Sequence, residues 1–83
     1  MPKSTHTPEY RVLRDLLREL REREGTLQAD LAESLGVPQS YVSKSENGER
    51  RLDILEVREW CRGLGVPFVE FSKELDRRLR RKR

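Results

Sequence analysis

The 83-residue sequence has a single cysteine and a single histidine, and these two scarcities exclude several classes of protein. One cysteine cannot form an internal disulfide, and one cysteine with one histidine is too few ligands for a typical zinc site, so we expect no metal and no cofactor. The sequence also lacks a glycine-rich phosphate loop and a cluster of acid–base groups, so we do not expect an enzyme. Cys61 falls on an apolar helix stripe, which favours a core thiol.

Long apolar segments are also missing. No run approaches the ~18 residues that a membrane-spanning helix needs, and the N-terminus lacks the apolar segment of a secretory signal. We therefore expect a cytoplasmic protein that has no membrane partner. A chain of this length suffices for one small domain with a thin core. The regular spacing of the hydrophobic residues, which make up 34% of the chain, favours a folded helical domain over a disordered one.

Positive charge is concentrated at the C-terminus. The formal net charge is +3, but the last seven residues hold six of the 18 Lys and Arg residues, and the remaining 12 face 15 acidic residues. Such a basic segment suits nucleic acid or another anionic surface, although a solvated, disordered end would have the same composition. We divide the chain into a flexible N-terminus (1–7), a helical domain (8–76) and a basic C-terminal tail (77–83).

Apolar residues recur at helical spacing in several segments, with Gly or Pro between the segments. The leucines from Leu13 to Leu20, for example, form one stripe at intervals of three and four residues. Thr26 is the expected N-cap of the second helix, which leaves Leu27 exposed. We predict an all-α fold of short helices at 8–24, 27–35, 38–46 and 53–64, and a fifth helix that begins near residue 67 and frays in the basic tail.

The third predicted helix, residues 38–46, is unusually polar. Val42 is the aliphatic residue in its middle, and the other side chains are mostly Gln, Ser, Tyr and Lys. Core packing alone does not explain such a helix, whereas small hydrogen-bonding side chains can read base edges in the DNA major groove. With the preceding helix and a tight turn at Gly36, this layout is typical of a helix-turn-helix.

The segment from Leu20 to Val66 resembles the XRE/Cro-type helix-turn-helix family, the phage-repressor-like bacterial transcriptional regulators. Three motifs in register carry the resemblance: Gln-x-x-Leu-Ala from Gln28, Leu-Gly-Val at 35–37, and Val-Ser-Lys-x-Glu-Asn-Gly-Glu-Arg-Arg-Leu-Asp from Val42. The resemblance implies a compact four-to-five-helix bundle of the lambda-repressor-like DNA-binding type. It also implies that double-stranded DNA is the partner.

The resemblance also implies roles for single positions on and around the third helix. Gln39 and Lys44 are the first candidates for reading bases, because Gln can form two hydrogen bonds with adenine and Lys can reach guanine O6 or N7. Ser40 and Ser43 are further base-reading candidates. The expected contacts to DNA phosphates, which fix register without reading sequence, are Gln28, Tyr41, Asn47, Arg50 and Arg51. For the last four of these, the alternative is ordinary solvent exposure.

Arg21 and Glu46 occupy the positions of an Arg–Glu pair that ties the first helix to the end of the third helix in relatives. We expect a bidentate, largely buried contact that orients the third helix and adds little net stability. The alternative is two separate surface charges.

The family resemblance further implies a homodimer, which would place two reading helices about 34 Å apart on a palindromic operator. The candidate contact between subunits is the apolar stripe of Phe71, Leu75 and Leu79; the alternative is that this stripe completes the monomer core. We expect a transcriptional regulator, and more specifically a repressor that acts by operator occlusion. The alternative function on the same fold is an antitoxin or adaptor that binds another protein.

Overall fold

Five α-helices account for most of residues 6–81, which are the residues that the computed structural model describes. In chain order they are α1 (Pro8–Arg23), α2 (Gln28–Leu35), α3 (Gln39–Glu46), α4 (Ile54–Leu64) and α5 (Phe68–Arg81). This part of the chain contains no strand, so the predicted all-α class is confirmed. None of these helices combines the length and the apolar composition that a membrane span requires.

Side chains fix the beginnings of α1 and α4. Thr7 Oγ1 accepts a hydrogen bond from Tyr10 N at 3.1 Å, which satisfies one of the free amides at the start of α1. Ahead of α4, Asp53 accepts from the backbone N–H of Glu56, and the Glu56 side chain accepts from the backbone N–H of Asp53. This reciprocal capping box fixes where the loop after α3 ends.

The beginning of α2 differs from the prediction. Its N-cap is Leu27, which makes no side-chain hydrogen bond, so the expectation that Thr26 caps this helix is wrong. Thr26 lies one residue too early to cap α2, and its carbonyl oxygen instead accepts a hydrogen bond from Arg21 Nη1 at 2.8 Å. Leu27 is 67% exposed, as the order of these residues predicted.

Trp60 of α4 lies at the centre of the core and is fully buried. Leu16 of α1, Leu31 of α2 and Val42 of α3 belong to the same core cluster as Trp60, so the first four helices all contribute to the core. Cys61 is buried beside Trp60, and burial raises the pKa of its thiol to about 11. The thiol is therefore protonated at neutral pH and acts as a small apolar group in the core.

The basic end of the chain is helical through Arg81, so the prediction that the last helix frays in the tail is wrong for the described residues. Arg78 provides the physical reason, because it donates to Glu74 one turn earlier at 2.7 Å and to Glu19 of α1 at 2.9 Å. Hydrogen bonds from Arg77 and Arg78 lower the pKa of Glu74 to about 2. The end of the predicted tail (82–83) and residues 1–5 of the expected flexible N-terminus lie outside the described residues.

The apolar stripe of α5 faces mainly into the subunit. Phe71 is 2% exposed and belongs to the core cluster, Leu75 packs against that cluster, and Leu79 is half-buried. Phe71 therefore has no surface to offer a second subunit, and this part of the predicted dimer contact is wrong. The reason is that α5 packs against both α1 and α4 and closes the core on that side.

Candidate nucleic-acid interface

Helix α3 is anchored to the bundle on one side and open to solvent on the other. Val42 is fully buried and Ser45 is 2% exposed, so these two residues define the inward side. The outward side consists of the exposed Gln39, Ser40 and Lys44, with the half-buried Ser43 at its edge. The side chains that the sequence singles out for base reading thus lie together on one accessible surface.

A short connection sets α3 at a fixed angle to α2. Gly36 has φ +71°, in the left-handed region that favours glycine. Val37 N then donates to the carbonyl of Ala32 at 3.0 Å, which closes the turn against the end of α2. Pro38 follows in an extended conformation and precedes the first residue of α3.

Arg21 of α1 and Glu46 at the end of α3 form a bidentate ion pair. The Arg21 Nε–Glu46 Oε2 distance is 2.6 Å, and Arg21 Nη2 donates to Glu46 Oε1 at 3.1 Å. The two side chains are 10% and 2% exposed, so the pair is almost completely removed from water. Arg14 Nη1 adds a second link by donating to the Glu46 carbonyl at 3.2 Å. Both contacts hold the C-terminal end of α3 against α1.

Gln28, the first residue of α2, connects this ion pair to the reading surface. Its Nε2 donates to Glu46 Oε1 at 2.9 Å. Because a carboxylate only accepts, the amide nitrogen of Gln28 must face Glu46 and its carbonyl oxygen must point away. That oxygen accepts a hydrogen bond from Gln39 Nε2 at 3.5 Å. A continuous series of polar contacts therefore runs from Arg21 in the interior to Gln39 on the exposed face.

Arg50, in the loop between α3 and α4, contacts Glu56 and Tyr41 and also donates to the Arg51 carbonyl at 3.2 Å. Its Nη2 donates to Glu56 Oε2 at 2.9 Å, and its guanidinium lies 4.3 Å from the ring centroid of Tyr41. The hydrogen bond that Arg50 donates to Glu56 is the main cause that raises the pKa of Arg50, and the same bond lowers the pKa of Glu56. Burial raises the pKa of the Tyr41 hydroxyl, which is therefore neutral near pH 7. This cluster fixes the Arg50 guanidinium, which is paired with Glu56, beside α3.

Arg51 and Asn47 lie in the same loop. The Arg51 guanidinium lies 4.8 Å from the ring centroid of Tyr10 on α1, and both Arg51 and Asn47 are exposed. Asn47 is also the C-cap of α3. The loop thus places three of the candidate phosphate contacts within the five residues after the reading helix, whereas Gln28 contacts Gln39 at the beginning of that helix.

Tyr10 positions this loop. Its role was not predicted from the sequence. Its hydroxyl accepts a hydrogen bond from the backbone N–H of Leu52 at 2.9 Å, and both residues are buried. Tyr10 precedes Leu13 by three residues and Leu17 by seven, so it extends the apolar stripe of α1. That spacing is the signal that could have identified it as an inward-facing residue.

The fold and this surface define a helix-turn-helix DNA-binding protein: two short helices joined by a glycine turn, the second with an exposed polar face and flanking arginines. The family model described as Helix-turn-helix matches residues 17–71. The chain belongs to the XRE-type helix-turn-helix family of DNA-binding transcriptional regulators, which are not enzymes.

Solved structures support the same assignment. An XRE-family like protein from Pseudomonas syringae pv. tomato is 46% identical, with a TM-score of 0.81 over 86% of this chain and 87% of that one. The wild-type restriction-modification controller protein C.Esp1396I is 24% identical, with a TM-score of 0.82 over 89% of this chain and 97% of that one, and this likeness concerns the fold alone. A comparison with curated proteins gives no match.

Proposed function

We propose that the protein is a repressor that blocks transcription by occupying an operator with α3 in the DNA major groove. The observation that carries this proposal is the division of α3 into a buried side and an outward side that carries Gln39, Ser40 and Lys44. A major groove admits one α-helix, and its base edges offer acceptors to Lys and paired donor and acceptor groups to Gln. Gln39 would read adenine and Lys44 would read guanine.

Contacts to phosphates would fix this orientation. Gln28 contacts Gln39 at the beginning of α3, Arg50 lies against the ring of Tyr41, and Asn47 and Arg51 follow the C-terminal end of the helix. We infer that they hold the DNA backbone on both sides of the groove and add affinity without adding sequence information. Gln28 uses one amide hydrogen on Glu46, which leaves the second for a phosphate oxygen.

The acting form would be a homodimer. Two reading helices in successive major grooves on one side of a duplex lie about 34 Å apart. The subunit measures 35 × 29 × 20 Å, so two copies in direct contact can span this distance without a linker. The operator would then be palindromic.

A titration of the protein against the DNA upstream of its own gene, at several salt concentrations, tests the proposal. We expect specific binding with a steep fall in affinity as salt rises, because bound phosphates release counterions. In vitro transcription from the same DNA should fall as the operator fills. Specific binding with increased transcription would contradict repression and keep DNA reading. If the protein shows no preference over unrelated DNA, the proposed reading surface is wrong.

A further inference from the structure

Glu56, in the first turn of α4, binds the loop between α3 and α4 through both oxygens of its carboxylate. Its Oε1 accepts a hydrogen bond from the backbone N–H of Asp53 at 2.9 Å, as half of the capping box. Its Oε2 accepts from Arg50 Nη2, also at 2.9 Å. Because the capping bond fixes the carboxylate at the start of the helix, the part of the ion pair that is able to move away is the Arg50 side chain.

The ion pair of Arg50 and Glu56 lies at the surface. The two side chains are 38% and 30% exposed, so water screens their attraction and the pair contributes little to stability. An anion that approaches Arg50 meets a guanidinium whose charge is already balanced, and it is repelled by the carboxylate beside it. A DNA phosphate is such an anion, and Arg50 is one of its proposed contacts.

Arg50 does not depend on Glu56 for its position. Its guanidinium lies 4.3 Å from the centroid of the Tyr41 ring, and its Nη1 donates to the Arg51 carbonyl at 3.2 Å. These two contacts hold the guanidinium against α3 and against the loop backbone, and neither involves a carboxylate. Loss of the Glu56 charge would therefore leave Arg50 oriented and remove its competing partner.

Tyr41 is influenced by the same carboxylate. Burial is the main cause that raises the pKa of its hydroxyl, and the negative charge of Glu56 raises it further. Tyr41 and Glu56 also line one groove beside α3. Two candidate phosphate contacts, Tyr41 and Arg50, thus lie next to one fixed negative charge.

We propose that Glu56 is an internal competitor of DNA, which lowers the affinity of the protein for every DNA sequence. In the free protein its carboxylate binds Arg50 in the place of a phosphate. On the duplex, Arg50 exchanges the carboxylate for a phosphate and leaves Glu56 unpaired near the DNA backbone. This inference rests on the phosphate contacts of the proposed function and adds a residue that opposes them. Because phosphates carry no sequence information, Glu56 weakens binding to the operator and to unrelated DNA by the same factor.

Glu56→Gln tests this competition. The glutamine oxygen still accepts from the Asp53 N–H, so the capping box and the fold should persist, as circular dichroism would show. We expect the variant to bind the operator and unrelated DNA roughly three- to tenfold more tightly, with an unchanged ratio between the two. The decline of log K with log salt concentration should become steeper by up to about one unit. Fluorescence anisotropy at several salt concentrations measures both quantities.

Glu59→Gln is the matched control. Glu59 lies about one turn further along α4 and pairs with Arg62 at 2.8 Å, so its replacement changes the net charge equally without releasing Arg50. The affinity for DNA should rise by less than about twofold, because exposed charges away from the contact are screened by salt. If Glu56→Gln and Glu59→Gln bind DNA equally tightly, net charge alone is responsible and the competition for Arg50 is wrong.

Arg50→Ala separates this inference from the proposed function. Alone, it should weaken binding to all DNA. When Glu56→Gln is added to it, affinity should rise by less than about twofold, because no guanidinium remains to be released. If Arg50→Ala weakens binding but Glu56→Gln leaves it unchanged or weakens it, Glu56 is not a competitor and the phosphate contact stands. If Arg50→Ala binds all DNA as tightly as the unchanged protein, the proposed phosphate contact is wrong, and so is the competition for it.

Discussion

Gln28 and Arg21 donate hydrogen bonds to the same oxygen, Oε1 of Glu46, at 2.9 and 3.1 Å. A single buried carboxylate therefore serves two purposes. It neutralises an arginine of α1, and it orients the amide that faces Gln39 on the reading surface. Stability and DNA reading should respond differently when different members of this series are changed.

Glu46→Gln should destabilise the fold by roughly 3–5 kcal/mol, because it leaves the Arg21 charge buried without its partner. Chemical denaturation followed by circular dichroism measures this change. Glu22→Gln is the matched control: Glu22 pairs with Arg18, and both side chains are more than half exposed, so its loss should cost less than ~1 kcal/mol. Equal effects of the two substitutions would show that burial of the Glu46 pair has no energetic consequence.

Replacing Gln28 and Gln39 by Ala, singly and together, should reveal coupling in DNA binding. We expect each single change to weaken operator binding, and the double change to cost less than their sum by roughly 0.5 kcal/mol or more. The reason is that loss of Gln28 already removes the acceptor that positions the Gln39 amide. Fluorescence anisotropy with operator DNA measures the cycle. Additive losses would mean that this contact does not assist reading, whatever the affinity of each variant.

Lys44→Ala and Arg51→Ala should impair DNA binding in different ways. Loss of Lys44 should relax discrimination between the operator and a site with one changed base pair, by roughly 1–3 kcal/mol. Loss of Arg51 should weaken all DNA sequences alike and make the salt dependence of log K shallower by about one unit. Competition binding at several salt concentrations distinguishes the two. The assignment is reversed if Arg51→Ala changes sequence preference and Lys44→Ala changes the salt slope.

Acid should loosen the contact between α5 and α1. Arg77 and Arg78 lower the pKa of Glu74 from 4.5 to about 2, and a hydrogen bond from Arg78 lowers the pKa of Glu19. Because the folded-state pKa values are depressed, the stabilisation is complete above about pH 4.5 and is lost as the pH falls toward 2. The melting temperature should therefore decline over this interval.

Glu74→Gln tests how much the Glu74 carboxylate contributes to the loss of melting temperature in acid. This variant should show a flatter decline of melting temperature between pH 5 and pH 2 than the unchanged protein, because it lacks the carboxylate whose pKa shifts on folding. Glu33→Gln, on α2 and outside this network, should keep the original slope. If the two variants decline in parallel, the ion pairs of Glu74 with Arg77 and Arg78 do not control acid stability.

Local sequence signals predicted the helices because their information lies within a few residues. The stripe from Leu13 to Leu20 and the glycine at 36 locate α1 and the end of α2 without knowledge of any distant contact. The predictions of helix ends were wrong where a contact with a residue distant in sequence determines the local structure. Thr26 does not cap α2, and its carbonyl is engaged by Arg21 of α1. The end of α5 remains helical with Arg78 bound to Glu19 across the bundle.

The candidate site was predictable in its residue types and less so in its connections. The polar composition of α3 indicated that this helix has an exposed side, and helical periodicity places Lys44 on the opposite side of the helix from Val42. Gln39, three residues before Val42, is exposed at the first position of the helix. Composition does not show that Gln28 donates to Glu46, which is 18 residues away, or that Glu56 holds Arg50 beside Tyr41. These contacts require that three helices converge.

The sequence by itself determined the all-α class, the positions of the helices and the helix that carries the polar face, since hydrophobic period and turn residues act locally. Only the tertiary structure decided which polar groups are joined, that Phe71 closes the core, and that Ile54 and Leu55 stay at the surface. The physical reason is that burial and hydrogen bonding between distant residues depend on how the helices pack, and helical period alone does not specify that packing.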